Sequence, residues 1–251
     1  MSSWSRRRKG MYAGALVVVA LAVIGAAAFK LLYKAPSCFD GIRNGDETGV
    51  DCGGSCSRLC PNAFLAPSVA WSRFEQVAPG LYNLAAYIVN PNADVSAAAV
   101  PYHMALYDDK GVSITDVYGT ADLPVHRDSL AFQGSVNIGK RTPARLLFEF
   151  TAPPDWVKSP DPLSNLQISN KQYSETGSSS SLIVTVADTG VEPVYNLQVY
   201  AVLSDADGNV LDFSKTVVDQ VPAGGTALAP FTWPRSHDGK VISIEVLPVA
   251  Q

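Results

Sequence analysis

Charge is scarce in this chain of 251 residues, and it is unevenly placed. Only 17% of the residues are Asp, Glu, Lys or Arg, and none of them lies between Lys9 and Lys30. No acidic residue precedes Asp40, and no cysteine lies outside 38–60. Six of the 19 basic residues come before residue 35, so the rest of the chain sets 13 bases against all 23 acids. That balance is the wrong sign for a phosphate backbone and excludes a nucleic-acid partner. The three histidines, His103, His126 and His237, fall in no metal-ligand spacing. G-x-S-x-G, H-E-x-x-H and glycine-rich phosphate loops are missing as well. No catalytic residue is legible, and the expectation is a protein that is not an enzyme. Wholesale disorder is excluded too, because 47% of the residues are hydrophobic.

The uncharged gap is itself a signal. Met11 to Phe29, MYAGALVVVALAVIGAAAF, is 19 residues long. As a helix it would reach roughly 28 Å, close to the thickness of a bilayer's hydrocarbon layer. Arg6 to Lys9 precede it, and the positive-inside rule keeps such a cluster cytoplasmic. The expectation is a cytoplasmic tail (1–10) and a single-pass signal anchor (11–33) in the cell membrane, with the bulk of the chain extracytoplasmic. A cleaved signal peptide is the competing reading, since Ala26-Ala27-Ala28 offers a small-residue cut site.

All four cysteines then fall in one short module, 35–62, whose centre reads CFDGIRNGDETGVDCGGSCSRLC. Outside the cytosol, Cys38, Cys52, Cys56 and Cys60 suit two disulfides, with three pairings open. Phe39, Ile42, Val50 and Leu59 are too few to form a core, so cross-links must replace one. Asp40, Asn44, Asp46, Glu47 and Asp51 alternate with glycines and supply hard oxygens. They are candidate Ca²⁺ ligands, and the alternative is a set of turn-capping acids. Zinc at the cysteines is disfavoured, because C-x13-C-x3-C-x3-C lacks paired C-x2-C knuckles. The spacing of Cys38, Asp40, Gly41, Asn44, Glu47, Gly49, Asp51, Cys52, Gly53, Gly54 and Cys56 resembles a Cys-rich motif of exported bacterial proteins, notably in candidate phyla. That resemblance implies surface exposure and oxidised cysteines, and no chemistry.

Behind the module, short alternating apolar runs are punctuated by Gly, Pro, Asn and Asp, the pattern of antiparallel sandwich strands. They occur twice. VPYHMALYDDKGVSI (100–114) aligns with LQVYAVLSDADGNVL (197–211) at a shift of 97. The same shift pairs YIVNP (87–91) with VTVAD (184–188), and a shift of 98 pairs Leu123-Pro124 with Val221-Pro222. Late strands are expected at 144–150 and 241–247. Met104 to Asp108, followed by Lys110-Gly111, resembles the F-x-L-Y-D signature of immunoglobulin-like domains in exported prokaryotic proteins, which implies a sandwich without a catalytic site. DADGNVLD reads as a hairpin turn rather than a calcium loop, and GSSSS (177–181) as a hairpin tip or exposed loop.

The fold class expected is mainly β: one N-terminal transmembrane helix, a small disulfide-rich module, then two tandem immunoglobulin-like β-sandwiches. Their bounds are 63–150 and 166–251, joined by a proline-rich linker, 151–165. Trp71 and Trp233 are expected in the cores, Trp156 as a wedge between the domains, and His103 facing solvent. The function expected is structural or binding, presenting the sandwiches for envelope assembly or adhesion to a protein partner. A subunit of a secretion or pilus machine is the alternative, followed by a solute-binding receptor or an envelope enzyme.

Overall fold

The computed structural model describes residues 3–32, 37–60 and 64–250, and the chain divides after Ser55 into two compact units. The first opens with α1 (Ser3–Leu32), whose last turn carries Lys30, a cation suited to the negative helix end. Its apolar side chains are uncovered: Leu16 is 71% exposed, Val18 66% and Ile24 63%. Among the described residues no helix is long and apolar enough to cross a membrane. The expected transmembrane helix over 11–33 is therefore unsupported by the fold.

The second unit carries two sandwiches. In the first, β1 (Ser68–Ala78), β2 (Leu81–Val89) and β5 (Ser129–Asn137) form one sheet in the order β1-β2-β5. β3 (Val95–Tyr107), β4 (Ser113–Leu123) and β6 (Arg145–Phe150) form the other, ordered β4-β3-β6, with β7 (Val157–Lys158) beside the start of β3. In the second, β8 (Leu166–Thr176), β9 (Ser179–Asp188) and β12 (Thr226–Trp233) make one sheet, ordered β12-β9-β8. β10 (Val194–Ser204), β11 (Val210–Val221) and β13 (Ser243–Val249) make the other, ordered β11-β10-β13. Strand for strand, the topology repeats, and all strand pairings are antiparallel.

Period-two burial explains both cores. Val100, Tyr102, Met104 and Leu106 point into the first, and Leu197, Val199, Ala201 and Leu203 into the second. The hairpins that follow are copies. The Asp108 carboxylate accepts the amides of Lys110 and Val112, and the Asp205 carboxylate those of Asp207 and Asn209. Gly111 and Gly208 supply the positive φ that each turn requires. One register differs from expectation. Ile88 and Val186 are the inward pair, so β2 and β9 align at 98, not 97. Ile88 to Ala97 is nine steps and Val186 to Val194 eight, so the first repeat has one residue more in that connection. A slip of one would turn every side chain to the other face.

The stretch 151–165 is not a free tether. Trp156 is buried in the first core beside Phe64, ring centroids 5.5 Å apart, and Leu163 is buried in the second. β7 pairs with β3, and 57–59 pair in turn with 156–158 through Lys158 N–H to Ser57 O and Leu59 N–H to Trp156 O. Trp156 is thus a core residue, and Trp71 occupies the junction role instead. It belongs to a third apolar cluster in which Ala85, Tyr87, Leu130 and Phe132 of sheet β1-β2-β5 meet Tyr200, Val202, Phe213, Leu247 and Val249 of sheet β11-β10-β13. The sandwiches share this seam outer face to outer face. Trp233 lies in the second core, as expected.

Candidate functional site

Two regions gather polar chemistry. The first is the cysteine module, where all four cysteines are disulfide-bonded and none is free to bind a metal. Within 37–55 the expected ligand residues are engaged by donors. The Asp51 carboxylate accepts the amides of Asp40 and Gly41 at 2.9 Å each. Asp40 accepts the amide of Ile42 and the Asn44 Nδ2 group. Glu47 accepts the amides of Asn44 and Asp51, and Asp46 the Ser55 hydroxyl, which holds its carboxyl below the usual range. These are turn-capping contacts. Of the five residues' side-chain oxygens, Asn44 Oδ1 is buried without a hydrogen-bond partner. Glycine is required here: a Cβ on Gly54 would sit 2.1 Å from the Asp46 carbonyl oxygen.

The second region borders the seam and was not legible in the sequence. Asp212, 1% exposed on β11, lies 2.8 Å from Arg235 Nε and 3.2 Å from His237 Nε2. The Arg235 contact is off the hydrogen-bond direction and therefore ionic. Arg235 then reaches the first sandwich, at 2.8 Å from Glu75 and through Nη2 to the Gln76 carbonyl. Burial raises the carboxyls of Asp212 and Glu75, and Arg235 opposes both shifts. The opposite ring nitrogen, His237 Nδ1, faces the Tyr173 hydroxyl at 2.7 Å and Ser180 Oγ at 3.2 Å. Tyr173, pushed up to about 12 by burial, donates to Glu175, whose carboxylate also takes the Ser236 hydroxyl.

Ser180, His237 and Asp212 thus lie in line like a nucleophile, base and orienting acid. Ser180 is 3% exposed, its hydroxyl donates to the Arg235 carbonyl at 2.9 Å, and His237 is itself buried. Of the run 177–181, Gly177 and Ser178 form the exposed tip of the β8–β9 hairpin, as expected, while Ser179, Ser180 and Ser181 belong to β9.

His103 is the remaining histidine of note. It lies on the outer face of β3, as expected, yet its side chain is only 15% exposed. The ring stacks on Tyr118 at 4.7 Å between Glu149 and Asp116, at 3.1 and 2.8 Å. Those two carboxylates, Glu149 foremost, raise its pKa above the ordinary histidine value.

No family model and no curated protein matches the sequence. Solved structures align with it at low similarity. A beta-glucuronidase from glycoside hydrolase family 2 gives 12% identity and a TM-score of 0.23, over 87% of this chain and 29% of that one. A putative beta-galactosidase from Bacteroides fragilis gives 12% and 0.20, over 69% and 33%. A Bacteroides uniformis beta-glucuronidase gives 16% and 0.18, over 69% and 22%. This chain spans a third or less of each of those proteins. At such scores the alignments say nothing of activity, and the immunoglobulin-like sandwich fold rests on the sheets described above.

Proposed function

We infer that this chain is a membrane-anchored, extracytoplasmic structural protein that presents two sandwiches as one stiff unit for envelope assembly or adhesion. The observation that carries the reading is the seam. Two domains tethered only by a linker would move independently by default. Here an apolar cluster, the Arg235–Glu75 ion pair and a structured 151–165 segment all oppose that motion. The uncovered apolar side chains of α1, behind Arg6 to Lys9, support anchoring through 11–33. The cysteine module then acts as a disulfide-pinned collar between anchor and sandwiches. Calcium in the collar is a second reading, favoured by the unpartnered Asn44 Oδ1, and an unchanged melt in chelator would sink it.

The stiff-unit reading is tested with spin labels at Tyr118→Cys and Leu228→Cys, both exposed and one in each sandwich. A single narrow distance distribution in the membrane-reconstituted full chain is expected. A broad, multi-component distribution would rule stiffness out. Alkaline carbonate extraction of membranes checks the anchor, with release into the soluble fraction as the contrary result.

A further inference from the structure

The two repeats differ at one buried position in a way that calls for a ligand. Asn90 and Asp188 close equivalent turns: Asn90 Oδ1 accepts the Asn92 amide and Asp188 Oδ1 the Gly190 amide, at the shift of 98 that relates β2 to β9. In the first repeat Asn90 Nδ2 then donates to two carbonyls, Val95 at 3.1 Å and Pro124 at 2.9 Å. Pro222 is the counterpart of Pro124. Asp188 has an oxygen where Asn90 has that amide group. It is 3% exposed, and Oδ2 has no hydrogen-bond partner among the described residues. A buried carboxylate oxygen cannot replace a donor unless a proton or a metal cation accompanies it, and only the cation makes stability depend on the salt present.

We propose that Asp188 holds a small dehydrated cation, sodium, which stands in the second repeat where the Asn90 amide hydrogens stand in the first. Three observations select that ligand. Asp188 lines a cavity of about 470 Å³ at the end of the second sandwich, with Asn165, Gly190, Tyr195 and the exposed acid Glu192, so an ion can reach the residue and finds oxygens beside it. Oδ2 itself is closed to water, which disfavours an ammonium group or a hydrated ion. Bare cations approach oxygens more closely than water does, about 2.3–2.6 Å for calcium against ~2.8 Å for a water hydrogen bond. One buried carboxylate also balances one positive charge, which favours a monovalent ion.

The test is thermal unfolding of the full chain at fixed pH and ionic strength, with sodium chloride exchanged for choline chloride. Chelator is present throughout, so calcium in the collar plays no part. Wild type is expected to gain about 3–6 °C in Tm for each tenfold rise in sodium above the site's Kd. Asp188→Asn, which restores the first repeat's donor, is expected to melt at one temperature in both salts. Asn90→Asp should make the first repeat sodium-dependent in turn. Equal wild-type Tm in the two salts overturns the proposal, as does a sodium response that survives in Asp188→Asn. If Asp188→Asn is simply more stable while wild type ignores sodium, the oxygen carries no metal and the proposal fails.

Discussion

Phe213→Ala is the sharpest probe of the seam. Phe213 is fully buried, and its ring meets Trp71 at 6.0 Å and Phe132 at 6.3 Å, both from the first sandwich. Truncating a buried phenylalanine costs about 3–5 kcal/mol, and an aromatic pair adds ~0.5–1.5 kcal/mol beyond its buried area. Against a domain stability of ~5–15 kcal/mol, that loss is large. It falls on the junction and not on either core, because Phe213 belongs to the third cluster alone. The expected result is therefore uncoupling. Wild type should unfold in one transition, and the variant in two, one per sandwich. The tryptophans report separately, since Trp156 sits in the first core, Trp233 in the second and Trp71 in the seam. Two wild-type transitions, or a single variant transition displaced by under ~1 kcal/mol, would refute the reasoning.

Asp212→Asn tests the ion network. Because burial raises the Asp212 carboxyl, its contribution to stability is fully present below the ordinary carboxylate pKa and is lost as pH rises through the folded value. The wild-type minus variant stability difference should fall with rising pH, and a flat difference across roughly pH 3–8 would contradict it. His103 runs the same way, since its raised pKa makes a stability contribution that is complete below ~6.5 and is lost as pH rises through the folded pKa. Its imidazole NMR titration should lie above that ordinary value and drop in Glu149→Gln, and a midpoint at or below it counts against the site. Gly111→Ala and Gly54→Ala separate backbone strain from clash. The first meets nothing within 4 Å and should cost about 1–2 kcal/mol through φ alone, while the second also strikes the Asp46 carbonyl and should hinder correct disulfide formation. Equal non-reduced peptide maps for Gly54→Ala and wild type would argue against the tight turn.

The repeat was visible in the sequence because Val100–Leu106 and Leu197–Leu203 each alternate over four inward positions. The register of β2 against β9 was not, because YIV and VTV are short and apolar at every second place in either alignment. Trp71 and Trp156 exchanged their expected places for a similar reason. Composition marks a tryptophan as buried, whereas only the packing of β7 and the 57–59 segment decides which core receives Trp156. The acids of the cysteine module could be named from the sequence, but most of their partners are backbone amides, which every residue type but proline carries. The Asp212–Arg235–His237 network joins β11 to the chain after β12, so no local spacing announces it.

The seam joins unlike faces, β1-β2-β5 of one repeat to the counterpart of β4-β3-β6 in the other. Such a head-to-tail contact is open-ended in principle: each new copy could stack on the last and grow a filament. The register shows what the first repeat carries on the equivalent face. Tyr200, Phe213 and Leu247, which fill the seam, correspond to His103, Asp116 and Glu149 in the first repeat. One end of the pair thus carries an imidazole–carboxylate cluster on the very surface that would otherwise receive a further copy, which disfavours stacking on that face.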